Sequence, residues 1–287
     1  MASGSATCGP FDESSVFLTA AGQTIHGTRT AFNSAFGSVN LQKTIANAHD
    51  NALEVNLRHQ GHALYLQFAY TWSRSIDQSS SLAEAVYPDV PGANPGLSRA
   101  LSAFDMTHNI SANYHYALPL AWVRRGSPKI TDGWQFSGLT RLGTGMPVTL
   151  LNNNDTSLLG TQPNGINNNG VDEPQFTTGP LQIHHRPGTR AFNTQLFALP
   201  ALGTLGNARR RFFYGPGEFN TDLALSKRTP LREGSALELR VESFNLFNHS
   251  QFFGPSAVNG NISASNFGEI QTASPPRLLQ LGVRITF

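Results

Sequence analysis

From Leu279 to Phe287 the chain alternates without a break: Leu279, Leu281, Val283, Ile285 and Phe287 are apolar, and Gln280, Gly282, Arg284 and Thr286 are polar or small. Successive side chains of a strand point to opposite faces, so as a strand this segment has one oily side and one wet side. As a helix it would scatter both sets around the axis. A strand of this kind fits a sheet whose oily side meets lipid, and it also fits one layer of a soluble sandwich.

The same period of two recurs along the chain, each time over about the ten residues that a tilted membrane strand needs. In 50–59, Leu53, Val55 and Leu57 oppose Glu54, Asn56 and Arg58, and in 63–77, Leu64, Leu66, Phe68, Tyr70 and Trp72 oppose Tyr65, Gln67, Ala69, Thr71 and Ser73. In 105–119, Ile110, Ala112, Tyr114 and Tyr116 oppose Asn109, Ser111, Asn113 and His115. Segment 133–150 opens with Trp134 and Phe136, and then Gly138-Leu139 blurs its phase. Segments 219–230, 236–247 and 277–287 alternate as well, and 37–47 is a weaker eighth candidate. The expected fold is an all-β, antiparallel transmembrane β-barrel segment of about eight strands. Residues 37–287 form this partial barrel domain, and 1–36 are a poorly defined N-terminal segment.

Connection lengths test this independently, because outer-membrane barrels pair short periplasmic turns with long extracellular loops. With Phe287 on the periplasmic side, the connections near 60–62, 120–132 and 231–235 fall inside, and those at 78–104, 151–218 and 248–276 fall outside. A short outer turn at 48–49 is the exception. Loops this long and polar are usually binding surfaces or disordered.

Composition agrees. Charged residues make up 13% of the chain, about half the usual share of ~25%. A mean hydropathy of -0.24 is no objection, since barrel strands give a weak hydropathy signal. The longest apolar run, Tyr116 to Val123, carries Pro119 and falls well short of the ~18 residues of a spanning helix. Cys8 is the single cysteine, which excludes an intrachain disulfide and a multi-cysteine metal site. A net charge of +2 implies no polyanion partner, and no nucleic-acid partner is expected. Residues 1–6 lack the basic and apolar regions of a secretory signal, so none is expected in this chain.

With the strands placed, several side chains acquire candidate roles. Inward Glu54, Arg58, Asp222, Glu238, Arg240, Glu242 and Arg284 are candidate lumen-facing groups, and Tyr70, Trp72, Tyr116, Trp122 and Trp134 are candidate interfacial aromatics. No H-E-x-x-H, G-x-S-x-G, P-loop or dinucleotide fingerprint is present, so no catalytic site and no cofactor are expected. His184-His185 lack a spaced third metal ligand, and Asn152 to Asp155 with Asp172-Glu173 lack the order of a calcium loop. These are read as solvated loop. Arg209-Arg210-Arg211 before Phe212-Phe213-Tyr214 read as an outer-rim contact to lipid phosphates or as solvated charge.

The terminal order of Gln280, Gly282, Ile285 and Phe287 resembles the assembly signal on the last strand of bacterial outer-membrane β-barrels. More of the chain resembles the C-terminal part of TonB-dependent outer-membrane receptors, the Oar-like group in particular. The matching phrases are Asn51-Ala52-Leu53, Gln67 to Asp77, Phe104-Asp105-Met106-Thr107-His108, Gly133 to Gly138, Gly145-Met146-Pro147 and Gly215-Pro216-Gly217-Glu218-Phe219-Asn220. Glu242 to His249, Phe267-Gly268 and Pro275-Pro276-Arg277 complete the set. The resemblance implies a barrel of about twenty-two strands with a plug, driven through TonB and taking up a ligand across the bacterial outer membrane. Its partners would be outer-membrane lipid, the barrel-assembly machinery, a plug, the remaining barrel strands and an extracellular ligand. No plug and only about eight strands are legible here. A self-closed small barrel with a structural or adhesive role and a soluble all-β binding module stay open as alternatives.

Overall fold

The computed structural model describes residues 46–80, 98–120, 127–154, 156, 172–184, 186, 188–201 and 204–287, with two further three-residue strands, β1 (Val16–Leu18) and β2 (Thr24–His26), that pair with each other. Seven long strands dominate: β3 (Ala48–Gln60), β4 (Leu64–Asp77), β6 (His108–Ala117), β7 (Trp134–Gly143), β10 (Glu218–Arg232), β11 (Ser235–Phe244) and β12 (Leu278–Thr286). Two-residue strands β5 (Ala100–Leu101), β8 (Gln175–Phe176) and β9 (Phe197–Ala198) lie in the connections, as does one short helix, α1 (Pro128–Thr131).

The long strands form one antiparallel sheet in the order β12-β11-β10-β7-β6-β4-β3, with β5 added to β4. Among the described residues no pairing joins β3 to β12, so the sheet is not closed. Seven of the eight expected strands are present. Of the eighth, 37–47, residues 37–45 lie outside the described residues, and the expected turn at 48–49 falls inside β3, where His49 pairs with Ile76. That removes the one exception to the segregation of connections.

Three connections, 61–63, 118–133 and 233–234, leave and rejoin the sheet at one end, and 78–107, 144–217 and 245–277 leave and rejoin it at the other. We call these the hairpin end and the cap end. Gly234 supplies the positive φ of 77° in the turn between β10 and β11. Pro230 lacks an N–H to donate and sits where the register shifts. Segment 133–150 is shorter than its alternation suggested, because β7 ends at Gly143 and the chain then enters the cap. β11 likewise ends at Phe244, since Asn245 turns the backbone with φ 52°.

The main buried hydrophobic cluster lies in the cap-end connections and not in the sheet. Val148, Leu150, Ala191, Phe192, Phe197, Ala208, Phe213, Val258 and Phe267 form it. Phe192 is its centre, with edge-to-face contacts to Phe197, Phe213 and Phe267 at 5.4, 5.0 and 5.4 Å. Such aromatic pairs add about 0.5–1.5 kcal/mol each beyond the area they bury. Of the two expectations for the long loops, disorder is corrected for the described residues: they are a packed cap.

Candidate functional site

Residues paired across a ladder share a face, so the register assigns every side chain of the wall. Along the row Leu57, Phe68, Ala112, Thr140, Thr221 the pairs run Leu57↔Phe68, Phe68↔Ala112, Ala112↔Thr140 and Thr140↔Thr221. The same face carries Leu53, Val55, Tyr70, Trp72, Ile110, Tyr114, Tyr116, Phe136, Leu142, Leu223, Leu225, Leu237, Leu239, Val241, Leu281, Val283 and Ile285. This face is open: Leu281 is 79% exposed, Val283 70% and Leu57 57%. A contiguous apolar surface on this scale marks contact with lipid or protein.

Several polar groups on that face find partners. Tyr114, Thr140 and Thr221 hydroxyls stand in a row at 3.4 and 3.2 Å. Lys227 Nζ donates to the Asp132 carbonyl at the hairpin end and lies 5.7 Å from the Trp134 ring centre. Its stem thus runs over apolar surface while its charge reaches the sheet's margin.

Tyr114 also explains the blurred phase of β7. Its ring covers Gly138, where an added Cβ would come within 2.6 Å of the ring. Gly138 takes an apolar-face position without a side chain, and Leu139 takes a polar-face one. The alternation is intact in space and interrupted only in letters.

Of the aromatics singled out in the sequence, Tyr70 and Trp72 lie toward the cap end of β4, and Tyr116 and Trp134 toward the hairpin end. Tyr116 pairs with Leu64. Tyr70 is therefore six residue steps above that level, about 20 Å along the strand at ~3.4 Å per residue. Tyr70 bonds His108 Nδ1 at 2.9 Å, and Trp134 Nε1 donates to the Ile130 carbonyl at 2.8 Å. Trp122 lies outside the described residues.

The opposite face is polar. It carries Glu54, Arg58, Asp222, Glu238, Arg240, Glu242 and Arg284 together, with Arg228, Glu238 and Arg284 directly opposite one another across three strands. Arg240 and Glu242 pair at 2.9 Å in the open, a contact worth little in stability. Gln280 and Gly282 belong to this face, and Ile285 to the apolar one.

A collar of buried and part-buried hydrogen bonds joins wall and cap. Asp77, at the last position of β4, accepts from Arg210 at 2.8 Å and from Ser80 Oγ at 2.7 Å. Arg210 also donates to the Ser98 carbonyl at 3.3 Å, and Arg211 Nε donates to Thr149 Oγ1 at 2.8 Å. Asp105 accepts from the Ser75 amide at 2.7 Å and from the Tyr214 hydroxyl at 2.5 Å. Burial first, and then the Asp105 bond, raise the Tyr214 phenol above its ordinary value. Gly215 N donates to the Met146 carbonyl at 2.9 Å, and a Cβ on Gly145 would meet Gly215 O at 1.8 Å. Below β11, Asp222 Oδ1 accepts from Asn245 N at 2.8 Å, and Asn245 Nδ2 donates to the His249 carbonyl at 3.0 Å.

This collar corrects the reading of Arg209-Arg210-Arg211 as a rim contact or as solvated charge. Arg209 is exposed, but Arg210 and Arg211 are 6% and 5% exposed, and Phe213 is part of the cap core. The reading of Asn152 and Asp172-Glu173 as solvated loop is corrected too. Asn152 N donates to the Asp172 carbonyl at 2.6 Å, Asp172 Oδ2 accepts from Thr156 Oγ1 at 3.0 Å, and both residues are 1% exposed. Burial pushes the Glu173 carboxyl up to about 8, with Asp172 adding to the shift and Arg210 and Arg211 opposing it. Among the described residues no group of three or more His, Cys, Asp and Glu side chains is placed to share a metal ion, and His185 lies outside them.

Sequence reasoning missed Asp77, Asp105, Arg210 and Tyr214 as a unit. A signal was available: the phrases 67–77, 104–108, 145–147, 215–220 and 242–249 all end in this collar or beside it.

Two comparisons with known proteins bear on these features. The family model described as "Outer membrane beta barrel domain" matches residues 9–280. No curated protein matches the chain.

Proposed function

This chain belongs to the outer membrane beta barrel domain family, and from that premise we propose that it is the wall and outer cap of a TonB-dependent, Oar-like receptor that takes up a ligand across the bacterial outer membrane. The observation that carries the reading is the joint geometry of wall and cap. One face of seven strands is mainly apolar, the other collects most of the charges, and the described parts of the long connections pack at the same end. In this reading the apolar face meets lipid, and Glu54, Arg58, Asp222, Glu238, Arg240, Glu242 and Arg284 line the ligand's path. Tyr70, Trp72, Tyr116, Trp122 and Trp134 mark the two interfaces. Gln280, Gly282, Ile285 and Phe287 are the signal read by the barrel-assembly machinery.

The receptor assignment is supported by the Oar-like phrases and by their convergence on the collar that holds the cap over the wall. A cap with its own aromatic core presents a shaped surface to a ligand, as a slack loop would not. A plug would complete the transport path.

Orientation is the testable core of this reading. In a Cys8→Ser background, Leu199→Cys in the cap should react with a membrane-impermeant maleimide on intact cells, and Glu233→Cys in the β10–β11 turn should react only after lysis. Equal labelling of the two, or recovery of the folded chain in plain buffer, would sink it.

A further inference from the structure

The apolar face of the wall carries charge of one sign. Every Asp and Glu of the seven long strands takes a polar-face position, Asp50, Asp77 and Glu218 included. The cations on the apolar face stand toward its margins, Lys227 at the hairpin end and Arg74 at the cap end.

Arg74 is the centre of a patch. Asn51 pairs with it directly across the β3–β4 ladder, and His49, paired with Ile76, and His108, paired with Trp72, flank it diagonally. Diagonal neighbours on one face of a sheet are ~7–8 Å apart, within reach of long side chains. All four residues are exposed. Among the described residues the Arg74 guanidinium takes part in no hydrogen bond and no ion pair. The acids at this end of β4 are already engaged, Asp77 by Arg210 and Ser80, and Asp105 by the Ser75 amide and the Tyr214 hydroxyl.

Below Arg74 on the same face of β4 follow Trp72, Tyr70, Phe68 and Leu66. The step from Trp72 to Arg74 is ~7 Å along the strand, and the headgroup layer on each side of a bilayer is about 5–8 Å thick. With the two aromatics at the interface, Arg74 lies level with lipid phosphates. The Tyr70 hydroxyl meets His108 Nδ1 at 2.9 Å, with the two rings stacked at 6.1 Å, which ties the aromatic layer to the cationic one.

The occupant that matches this surface is both anionic and amphiphilic. Arginine presents a planar fork of N–H donors that fits phosphate oxygens, Asn51 and the two imidazoles add further donors, and the surface beneath suits hydrocarbon. A free anion would use the first part and leave the second bare. We propose that Arg74, Asn51, His49 and His108 form a site for the phosphate of an anionic lipid in the outer leaflet, with the acyl chains laid along Trp72 and Phe68. The contact to lipid phosphate thus belongs to β3, β4 and β6, and not to Arg210 and Arg211, which are buried in the collar. The inference rests on the proposed outer-membrane wall.

Trp72, 41% exposed, is a built-in reporter. With Trp122→Phe and Trp134→Phe it is the one tryptophan left of the chain's three, and brominated acyl chains quench indole fluorescence on contact. The full chain with these two changes is reconstituted in phosphatidylcholine vesicles, and quenching by brominated phosphatidic acid is compared with quenching by brominated phosphatidylcholine. Phosphatidic acid should associate about fivefold more strongly at Trp72, the gain that one basic side chain gives at an anionic lipid surface. Arg74→Gln should bring the two lipids to parity, and Arg209→Gln, on the cap, should leave the preference intact. No preference in the parent, no loss in Arg74→Gln, an equal loss in Arg209→Gln, or abolition of the preference by millimolar inorganic phosphate at constant ionic strength would each overturn the inference. Those outcomes leave the wall standing, because both lipids still reach Trp72. Failure of both brominated lipids to quench Trp72 would instead remove the wall reading on which the inference rests.

Discussion

Arg210 and Asp77 meet at 2.8 Å across 133 residues of sequence, with side-chain exposures of 7% and 3%. This pair ties the longest connection to the last residue of β4, so the cap has a charged fastening and not only an oily one. Removing one partner of such a buried pair leaves a charge without its counter-ion, which costs roughly 3–5 kcal/mol. Arg210→Met and Asp77→Leu should each expose the cap to protease and lower its melting temperature in detergent micelles. The double variant should recover much of the loss. Wild-type protease resistance in both single variants would show that the pair does not hold the cap.

Glu173 gives the cap a pH dependence of definite sign. Its carboxyl titrates at about 8 in the folded cap, against 4.5 when free. The folded form thus binds the proton more tightly, and stability falls as pH rises from about 4.5 to about 8, where it levels off. Hydrogen exchange at the Leu150 amide, which bonds the Arg210 carbonyl, should be slower at pH 5 than at pH 9 after correction for intrinsic rates. Glu173→Gln should flatten the difference, and an unchanged difference in that variant would assign it elsewhere.

Neighbouring residues on β11 separate the two faces of the wall. Leu239 is 46% exposed on the apolar face, and Glu238 lies on the polar one opposite Arg284. Leu239→Arg should cost roughly 2–4 kcal/mol of folding in a bilayer if it sits near mid-membrane, and Glu238→Gln far less. Equal losses, measured by refolding into lipid vesicles, would mean that lipid and interior had been interchanged.

Gly138 admits no side chain under the Tyr114 ring. Gly138→Val should destabilise the wall by about 1–3 kcal/mol, the usual range for overpacking. Tyr114→Ala in the same chain should relieve most of it. A Gly138→Val barrel with unchanged thermal stability would show that the ring moves aside freely.

Phe287 ends the chain one residue beyond β12 and is 96% exposed. Its deletion, or Ile285→Asp, should lower the amount of heat-modifiable barrel in the membrane fraction without lowering synthesis. Unchanged assembly would detach the terminal pattern from its proposed role.

Seven strands were legible because a strand's alternation is a local property: Leu53 and Trp72 pair across β3 and β4, yet each already shows its face from its own neighbours. Where the pattern faltered, as at Gly138-Leu139, a neighbouring strand's Tyr114 filled the gap. The bounds at Gly143 and Phe244 were not legible, since what ends those strands is a turn into the cap. The candidate polar and aromatic positions could be placed by parity alone. The collar could not, because nothing near Arg210 in sequence announces Asp77.

The sequence by itself determined the two faces of the wall and the end at which its long connections gather, because both follow from side-chain period and spacing along the chain. Only the tertiary structure decided that those connections pack around Phe192 and that Arg210 and Arg211 are buried. Those properties arise from contacts between segments with no shared period, where the energy comes from which surfaces meet and not from the order of residues within either one.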